Sequence, residues 1–139
     1  MWFLALLSGC LVQAVVVSPD DTGMETNDTN TCLVDPVIDH VPIGGPVSSE
    51  EDLLLDITAY DHDGLVNVEV RYRPDNTDGW RTLQADPVGG NQWQGIIDMA
   101  YLEPGTMEYF IRAYDTCGDR GCAPPECQAR PWSFEVQAP

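Results

Sequence analysis

Apolar residues that alternate with polar ones constrain the fold of this chain more than any other feature. Val66, Val68, Val70 and Tyr72 are separated by polar side chains. Successive side chains of a β-strand point to opposite faces, so this pattern predicts a strand with one buried face. No stretch of useful length shows the period of an amphipathic helix. The chain is therefore predicted to be all-β.

The same reasoning predicts six further short strands. The seven predicted strands cover residues 36–42, 53–60, 66–72, 80–85, 92–98, 107–113 and 132–136. Turn-forming residues separate them, as in 74–79 (PDNTDG) and 89–91 (GGN). Seven short strands in about 100 residues, with turns every 8–12 residues, are typical of an immunoglobulin-like β-sandwich.

Three segments resemble known immunoglobulin-like domains. Residues 59–70 (AYDHDGLVNVEV) look like the region around strands B and C of bacterial immunoglobulin-like domains, and 109–119 (YFIRAYDTCGD) look like strand F and the following turn. Leu102, Pro104 and Gly105-Thr106, followed by Tyr109, resemble the tyrosine corner of fibronectin type III domains. The resemblance covers residues 35–137 and implies the fold. This fold hosts many unrelated roles, so it does not imply a function.

Residues 1–17 are nearly all apolar, which predicts an export signal. A membrane-spanning helix needs about 20 apolar residues, so the run is short for a span. Two interpretations of this signal that involve no lipid stay open. One is ordinary cleavage after Val12-Gln13-Ala14, which would release the protein to the periplasm or medium, and the other is an uncleaved hydrophobic anchor. All of these place the remainder of the chain outside the cytoplasm.

Leu7-Ser8-Gly9-Cys10 resembles the lipobox of bacterial lipoproteins. In that family the cysteine thiol receives a diacylglycerol, the peptide is cut before the cysteine, and the new amine is acylated. The resemblance implies a signal peptide at 1–9 and Cys10 as the lipidated N-terminus, held at a membrane by its acyl chains. Leu11 stands where an aspartate would retain a lipoprotein in the inner membrane, which favours the outer membrane.

The segment that follows is polar and acidic. Residues 18–31 (SPDDTGMETNDTNT) have no apolar period, which indicates a flexible spacer of about 20 Å root-mean-square length. The predicted organisation is therefore a signal peptide at 1–9, a lipid-anchored acidic linker at 10–31 and a β-sandwich domain at 32–139.

The cysteines also indicate an exported protein. Removal of Cys10 leaves Cys32, Cys117, Cys122 and Cys127, and an even number in an exported domain predicts two disulfides. One bridge is expected to join Cys32 to the 117–127 segment, although sequence leaves three connectivities open. A zinc site is the alternative, but this cysteine spacing is unusual for zinc.

The net charge and the sequence motifs argue against several classes of function. The chain has 23 acidic and 6 basic residues and a net charge of −17, which argues against nucleic-acid binding and against attraction to anionic lipid. His40 and His62 are the two histidines, and neither lies in a known nucleophile or metalloprotease motif. His62 is expected in a solvated turn. We therefore expect no catalytic residues and no enzyme activity.

Acidic residues at one end of the predicted sandwich suggest a calcium site. Asp61 and Asp63 precede strand C, and Asp115 and Asp119 follow strand F, so these loops are expected at the same end, with Asp35 nearby. Calcium prefers six to eight oxygen ligands, which clustered carboxylates supply. The alternative is turn chemistry, in which aspartates cap the turns and glycine adopts positive φ. No other cofactor is predicted.

Aromatic residues allow two interpretations. Trp80, Trp93 and Trp132 are expected in the core, as tryptophan often is in such sandwiches. Tyr60 and Tyr114 fall on the opposite alternation and are expected to face outward. The alternative is a carbohydrate-stacking face.

Together these features predict a monomeric, non-catalytic cell-envelope lipoprotein, attached to the outer membrane, whose immunoglobulin-like module has a structural or adhesive role. The alternative is a secreted calcium- or carbohydrate-binding module. The sequence does not identify a protein or glycan partner.

Overall fold

Each of the seven predicted segments forms a strand. The computed structural model describes residues 34–139, and the predicted signal peptide (1–9), linker (10–31), Cys10 and Cys32 lie outside these residues. The strands are β1 Val37–Asp39, β2 Val47–Ser48, β3 Leu53–Tyr60, β4 Leu65–Pro74, β5 Arg81–Gln84, β6 Asp86–Gly89, β7 Gln92–Ile97, β8 Gly105–Asp115, β9 Arg120–Ala123 and β10 Trp132–Gln137. Two short 3₁₀ helices cover Met99–Tyr101 and Cys127–Ala129.

The strands form two sheets. The larger sheet has the order β2-β10-β8-β4-β5, and β9 also pairs with β8, on the half of that strand that β10 leaves free. The smaller sheet has the order β1-β3-β7-β6. All pairs are antiparallel except β2 with β10. This arrangement is an all-β, immunoglobulin-like sandwich, and the prediction of the fold class is confirmed.

The core fills the space between the sheets with the inward residues of each alternating strand. Strand β3 contributes Leu55 and Ile57, β4 contributes Val68 and Val70, and β8 contributes residues that include Ile111, all of them essentially inaccessible to solvent. Burial of such a side chain contributes about 1.5–3 kcal/mol relative to exposure. The alternation that predicted the strands thus also identifies most of the core.

Three short strands, β2, β6 and β9, were not predicted. Strand β2 has two residues, which is too short for an alternating pattern. Strand β6 (DPVG) contains a proline and is exposed throughout, so it shows no buried face. Strand β9 (RGCA) contains Gly121 and Cys122 in place of the β-branched residues that mark a strand.

Val66 departs from the predicted pattern. The register between β4 and β8 shifts between Leu65 and Asn67, which is a β-bulge. An extra residue in one strand reverses the face of its neighbours. Val66 is therefore 62% exposed, and Leu65 packs against the core in its place. The prediction that Val66 belongs to the buried face is wrong for this reason.

Gly121 marks a close approach of the two sheets. A Cβ atom at this position of β9 would overlap the carbonyl oxygen of Pro36, just before β1. A backbone atom cannot move aside as a flexible side chain can, so the packing of β9 against β1 requires glycine here. This contact joins an edge of the smaller sheet to the larger sheet.

Candidate functional site

The turn after β8 is organised by a buried carboxylate. Asp115 is 2% exposed, and its Oδ1 accepts hydrogen bonds from the backbone N–H of Cys117 (2.8 Å) and of Asp119 (2.9 Å). The N–H of Asp115 also donates to the carbonyl of Asp119. Gly118 adopts φ = +90°, a conformation that favours glycine. Asp115 therefore fixes the turn that leads into β9.

A second aspartate organises the turn between β3 and β4. The Oδ2 of Asp61 accepts a hydrogen bond from the N–H of Asp63 (2.7 Å), and its carbonyl accepts from the N–H of Gly64 (3.2 Å). Thr116 connects the two turns, since its N–H donates to the carbonyl of Gly64 and its hydroxyl donates to the carbonyl of Asp63. The structure thus brings together the two turns that carry the predicted calcium ligands.

The four predicted calcium ligands do not form a complete coordination shell from protein side chains. Asp61 Oδ1 and Asp115 Oδ2 are buried and have no hydrogen-bond partner within residues 34–139. No group of three or more His, Cys, Asp or Glu side chains in that part of the chain is placed to hold a metal ion. Asp63 is exposed, and Asp119 uses its backbone in the turn. The calcium site stays a prediction, and the turn roles of Asp61 and Asp115 are observed.

A disulfide joins two of the predicted cysteines. Cys122 on β9 bonds to Cys127, with 5.4 Å between their Cα atoms, and closes the loop between β9 and β10. Cys117 is also disulfide-bonded. A bridge from Cys32 remains a prediction because Cys32 is not among the described residues. Sulfurs bound to each other are not thiolate ligands, so the zinc alternative is wrong for Cys122 and Cys127.

The tryptophans lie in different places. Trp93 and Trp132 are half-buried and pack against the core, as expected. Trp80 does not join the core: it packs edge-to-face on Phe110 on the outer face of the larger sheet, with ring centroids 4.7 Å apart. Trp80 precedes β5, so the alternation of that strand does not determine which face of the sheet it lies on.

Tyr60 is 45% exposed, while the Tyr114 hydroxyl donates to Glu69 (3.4 Å).

Sequence reasoning missed a hydrogen-bonded network around His40. A carbonyl oxygen only accepts, so His40 donates through Nδ1 to the carbonyl of Asp56 (2.7 Å). The Nε2 of His40 is hydrogen-bonded to the Tyr109 hydroxyl (2.9 Å), whose oxygen accepts from the N–H of Ile43 (3.1 Å). The network ties the loop between β1 and β2 to both sheets.

The network also corrects the assignment of Tyr109. A tyrosine corner bonds to the backbone a few residues upstream, whereas the Tyr109 hydroxyl bonds to residues 66 and 69 positions away. Burial raises the pKa of Tyr109 to about 12, and the hydrogen bond from Ile43 opposes part of that rise. His62, by contrast, is exposed in its turn, as predicted.

A groove of about 500 Å³ lies beside this network. It runs along the first half of β3, and its lining combines apolar side chains such as Ile43 and Leu53 with the acidic residues Asp39 and Asp56. Leu54 also lines the groove, and Leu54 and its cross-strand neighbour Ile96 are 49% and 53% exposed. This part of the smaller sheet therefore combines exposed apolar side chains with a concave surface.

Comparisons with known proteins do not assign this chain to a family. No protein-family model matches the sequence, and no curated protein matches it. Among solved structures the chain is similar to the twitchin kinase region from C. elegans (Fn31-NL-kin-CRD-Ig26), at 14% identity and a TM-score of 0.40. The likeness covers 75% of this chain and 16% of that chain.

Within the described range, no helix has both the length and the apolar character needed to cross a bilayer.

Proposed function

We propose that this chain is a non-catalytic, membrane-anchored binding module of the cell envelope, with an immunoglobulin-like domain carried on an acidic spacer and an adhesive role. The observation that carries the proposal is the Cys122–Cys127 disulfide. Structural disulfides form and persist in oxidising compartments and are rare in the cytosol. The disulfide therefore supports export, for which residues 1–17 supply the predicted signal.

The roles of the polar residues support a binding module over an enzyme. Asp61 and Asp115 hold turns, and His40 holds the loop between β1 and β2. Each of these side chains makes a structural hydrogen bond, through one oxygen of each aspartate and through both ring nitrogens of His40. The exposed pair Leu54 and Ile96 supports adhesion, because adjacent exposed apolar side chains next to a groove are typical of interaction sites.

Anchoring is tested by the substitution Cys10→Ser followed by membrane fractionation. The proposal expects the native chain in the membrane fraction and the variant in the soluble fraction, because the acyl chains that hold the protein are lost. Ser8→Ala is the matched control, since it keeps a small residue in the lipobox and should remain in the membrane. Membrane association of the Cys10→Ser variant would contradict lipid anchoring, and a soluble native chain would favour the secreted alternative.

A second candidate, calcium binding, is favoured by the two buried carboxylate oxygens without partners, Asp61 Oδ1 and Asp115 Oδ2. At a hundred times Kd, binding to the folded state would add about 2.7 kcal/mol of stability. For a domain of this size that corresponds to a melting shift of roughly 10 °C.

Thermal melts in EDTA, calcium and magnesium test this candidate. Calcium is expected to raise the melting temperature more than magnesium, which requires tight octahedral geometry. Asp61→Asn is expected to abolish the calcium shift. Equal melting temperatures in millimolar calcium and in EDTA would leave Asp61 and Asp115 as turn residues.

A further inference from the structure

The edge of the smaller sheet is incompletely paired. Strand β1 is three residues long and pairs with Thr58, Ala59 and Tyr60 of β3. The chain then leaves this sheet, and β2 pairs with β10 of the larger sheet. From Leu53 to Ile57, β3 therefore pairs with β7 on one side and with no described strand on the other.

The orientation of the backbone along this open edge follows from observed hydrogen bonds. The carbonyl of Asp56 points to the open side, because it accepts from His40 Nδ1. The N–H of Ala59 points to the opposite side, since it bonds to the carbonyl of Asn91. Backbone groups of a strand alternate between its two sides. The N–H and C=O of Leu54 and the N–H of Asp56 therefore face the open edge, with no partner among residues 34–139.

The other edge of this sheet is protected. Strand β6 contains Pro87, which has no N–H, and its register shifts between Pro87 and Gly89. Proline and bulges at an edge prevent pairing with another strand. The edge at Leu54 has neither feature, and the groove of about 500 Å³ lies directly beside it. The two edges of one sheet thus differ in their capacity to accept a further strand.

We propose that the open edge of β3 binds an extended segment of another protein, in which cationic and apolar residues alternate, as an added strand. This inference deepens the proposed function, on which it rests, because it names the surface and the chemistry of the partner. Backbone hydrogen bonds to Leu54 and Asp56 would supply affinity, and alternate side chains would supply specificity.

Charge complementarity favours a cationic segment as the occupant of the open edge. Asp39 and Asp56 lie in the groove, and the strands of the smaller sheet contain no Arg or Lys. A second copy of this chain would bring a net charge of −17. The chain's own spacer, residues 18–31, has four acidic residues and no basic one. Like charges disfavour both of these occupants, whereas a cationic strand pairs with the aspartates.

The faces of β3 define the sequence pattern of the partner. Asp52, Leu54 and Asp56 are exposed, while Leu55 is buried. A strand added beside β3 would place alternate side chains next to these exposed residues, where a basic, an apolar and a basic residue fit in order. The intervening side chains would enter the groove near Ile43 and should be apolar.

The probe is therefore the peptide acetyl-Arg-Val-Leu-Val-Arg-amide, whose pattern is the same in either strand direction. It is added to the full-length chain in detergent, and hydrogen exchange is followed at each amide of β3. Before addition, the N–H groups of Leu54 and Asp56 should exchange much faster than those of Leu55 and Ile57, which face β7. At saturation, exchange at Leu54 and Asp56 should slow at least about 10-fold.

Two control peptides separate backbone pairing from charge. Replacement of both arginines by glutamate should weaken binding at least about 10-fold. In the antiparallel register, N-methylation of the central leucine removes the N–H that would donate to the carbonyl of Leu54 and should abolish the protection. Equal binding of either control, or no protection by the arginine peptide at millimolar concentration, would overturn the proposal.

A matched pair of variants locates the site. Asp56→Arg should abolish peptide binding, whereas Asp86→Arg should leave it unchanged. Both residues are exposed and flank Gln94 in the same row of the sheet, but Asp86 lies at the protected edge. Loss of binding in both variants would overturn the assignment to β3.

Protection of Leu54 and Asp56 without peptide would also overturn the proposal. Protection that rises with protein concentration would identify a second copy as the occupant, and protection independent of concentration would identify the chain's own N-terminal segment. Failure of the peptide to bind would leave membrane anchoring untouched, since fractionation of Cys10→Ser measures anchoring separately.

Discussion

The outer faces of the two sheets differ in how far their outward-pointing apolar side chains are exposed to solvent. On the larger sheet Phe110 points outward from β8 yet is 0% exposed, because Trp80 and Arg112 lie against its ring. On the smaller sheet Leu54 and Ile96 also point outward, and about half of each remains exposed. The larger sheet has a second, outer cluster of packed side chains, whereas residues 34–139 form no such cluster over this pair on the smaller sheet.

The arginines explain much of this difference. Three of the six basic residues, Arg71, Arg73 and Arg112, lie on the outer face of the larger sheet. Arg71 pairs with Glu69 and Arg73 with Glu108, each at 3.1 Å, and the Arg73 guanidinium lies 4.0 Å from the centroid of Trp80. Long arginine stems cover apolar surface while the charge is neutralised. The smaller sheet lacks such residues and stays acidic and open, which suits a cationic partner.

The largest expected effect is that of removing the outer cluster on the larger sheet. Phe110→Ala should reduce the free energy of unfolding by about 3–5 kcal/mol, since it empties a fully buried site. Ile96→Ala, the control on the smaller sheet, should cost less than about 1 kcal/mol. Urea unfolding of the two variants measures both values. Similar losses in the two variants would remove the distinction between the faces.

Substitution of Gly121, where the two sheets are in contact, is expected to reduce stability by nearly as much. Gly121→Ala should reduce stability by about 2–3 kcal/mol, because the new methyl group would overlap the Pro36 carbonyl. Gly44→Ala adds a methyl group in open space and should be close to neutral. Chemical unfolding provides the comparison. A Gly121→Ala variant as stable as Gly44→Ala would mean that β9 does not pack tightly on β1.

The hydroxyl of Tyr109 is expected to contribute a moderate effect. Tyr109→Phe keeps the ring but removes the bonds to His40 and Ile43, which should cost about 1–2 kcal/mol. Tyr60→Phe removes an exposed hydroxyl and should cost much less. Loss of the network should also speed hydrogen exchange at Ile43. Unchanged exchange at Ile43 would show that the loop between β1 and β2 is held by other contacts.

The smallest expected effect is a change in alkaline stability. The folded state raises the pKa of Tyr109 from 10.0 to about 12, so it favours the protonated hydroxyl. This contribution is complete below pH 10 and is lost as pH rises towards 12. Tyr109→Phe should reduce the slope of stability against pH in this window, while Tyr72, whose pKa burial also raises, should leave a residual slope. An identical slope in the variant would contradict the assignment.

The sequence was sufficient to predict the strands that alternate over six or more residues, because burial of one face requires that pattern. Strands β2 and β6 could not be predicted, since pairing with neighbours defines them and their own residues carry no such pattern. The packing of Trp80 on Phe110 could not be predicted from the local sequence either. Phe110 occupies an outward position of β8, and only the loop that carries Trp80 explains why it is buried.

The candidate site, like the fold, could be predicted from the sequence only in part. The proximity of Asp61 and Asp115 was predictable, because Asp61 follows β3 and Asp115 ends β8 at the same end of the sandwich. The His40 network was not, since it joins residues 16 and 69 positions apart through a loop of irregular structure. The open edge of β3 could not be predicted either. It exists because the chain leaves the smaller sheet after β1, and no residue pattern indicates that position.

A partner outside the cell can reach the open edge only if the domain is exported, and we propose that it is exported as an anchored, disulfide-bonded module. The intact mass of the protein purified from membranes without reductant tests it most directly. We expect a chain that begins at Cys10, carries a diacylglycerol and an N-acyl group, and has lost the hydrogens of two disulfides, Cys122–Cys127 and Cys32–Cys117. An unlipidated chain with free thiols would contradict the account.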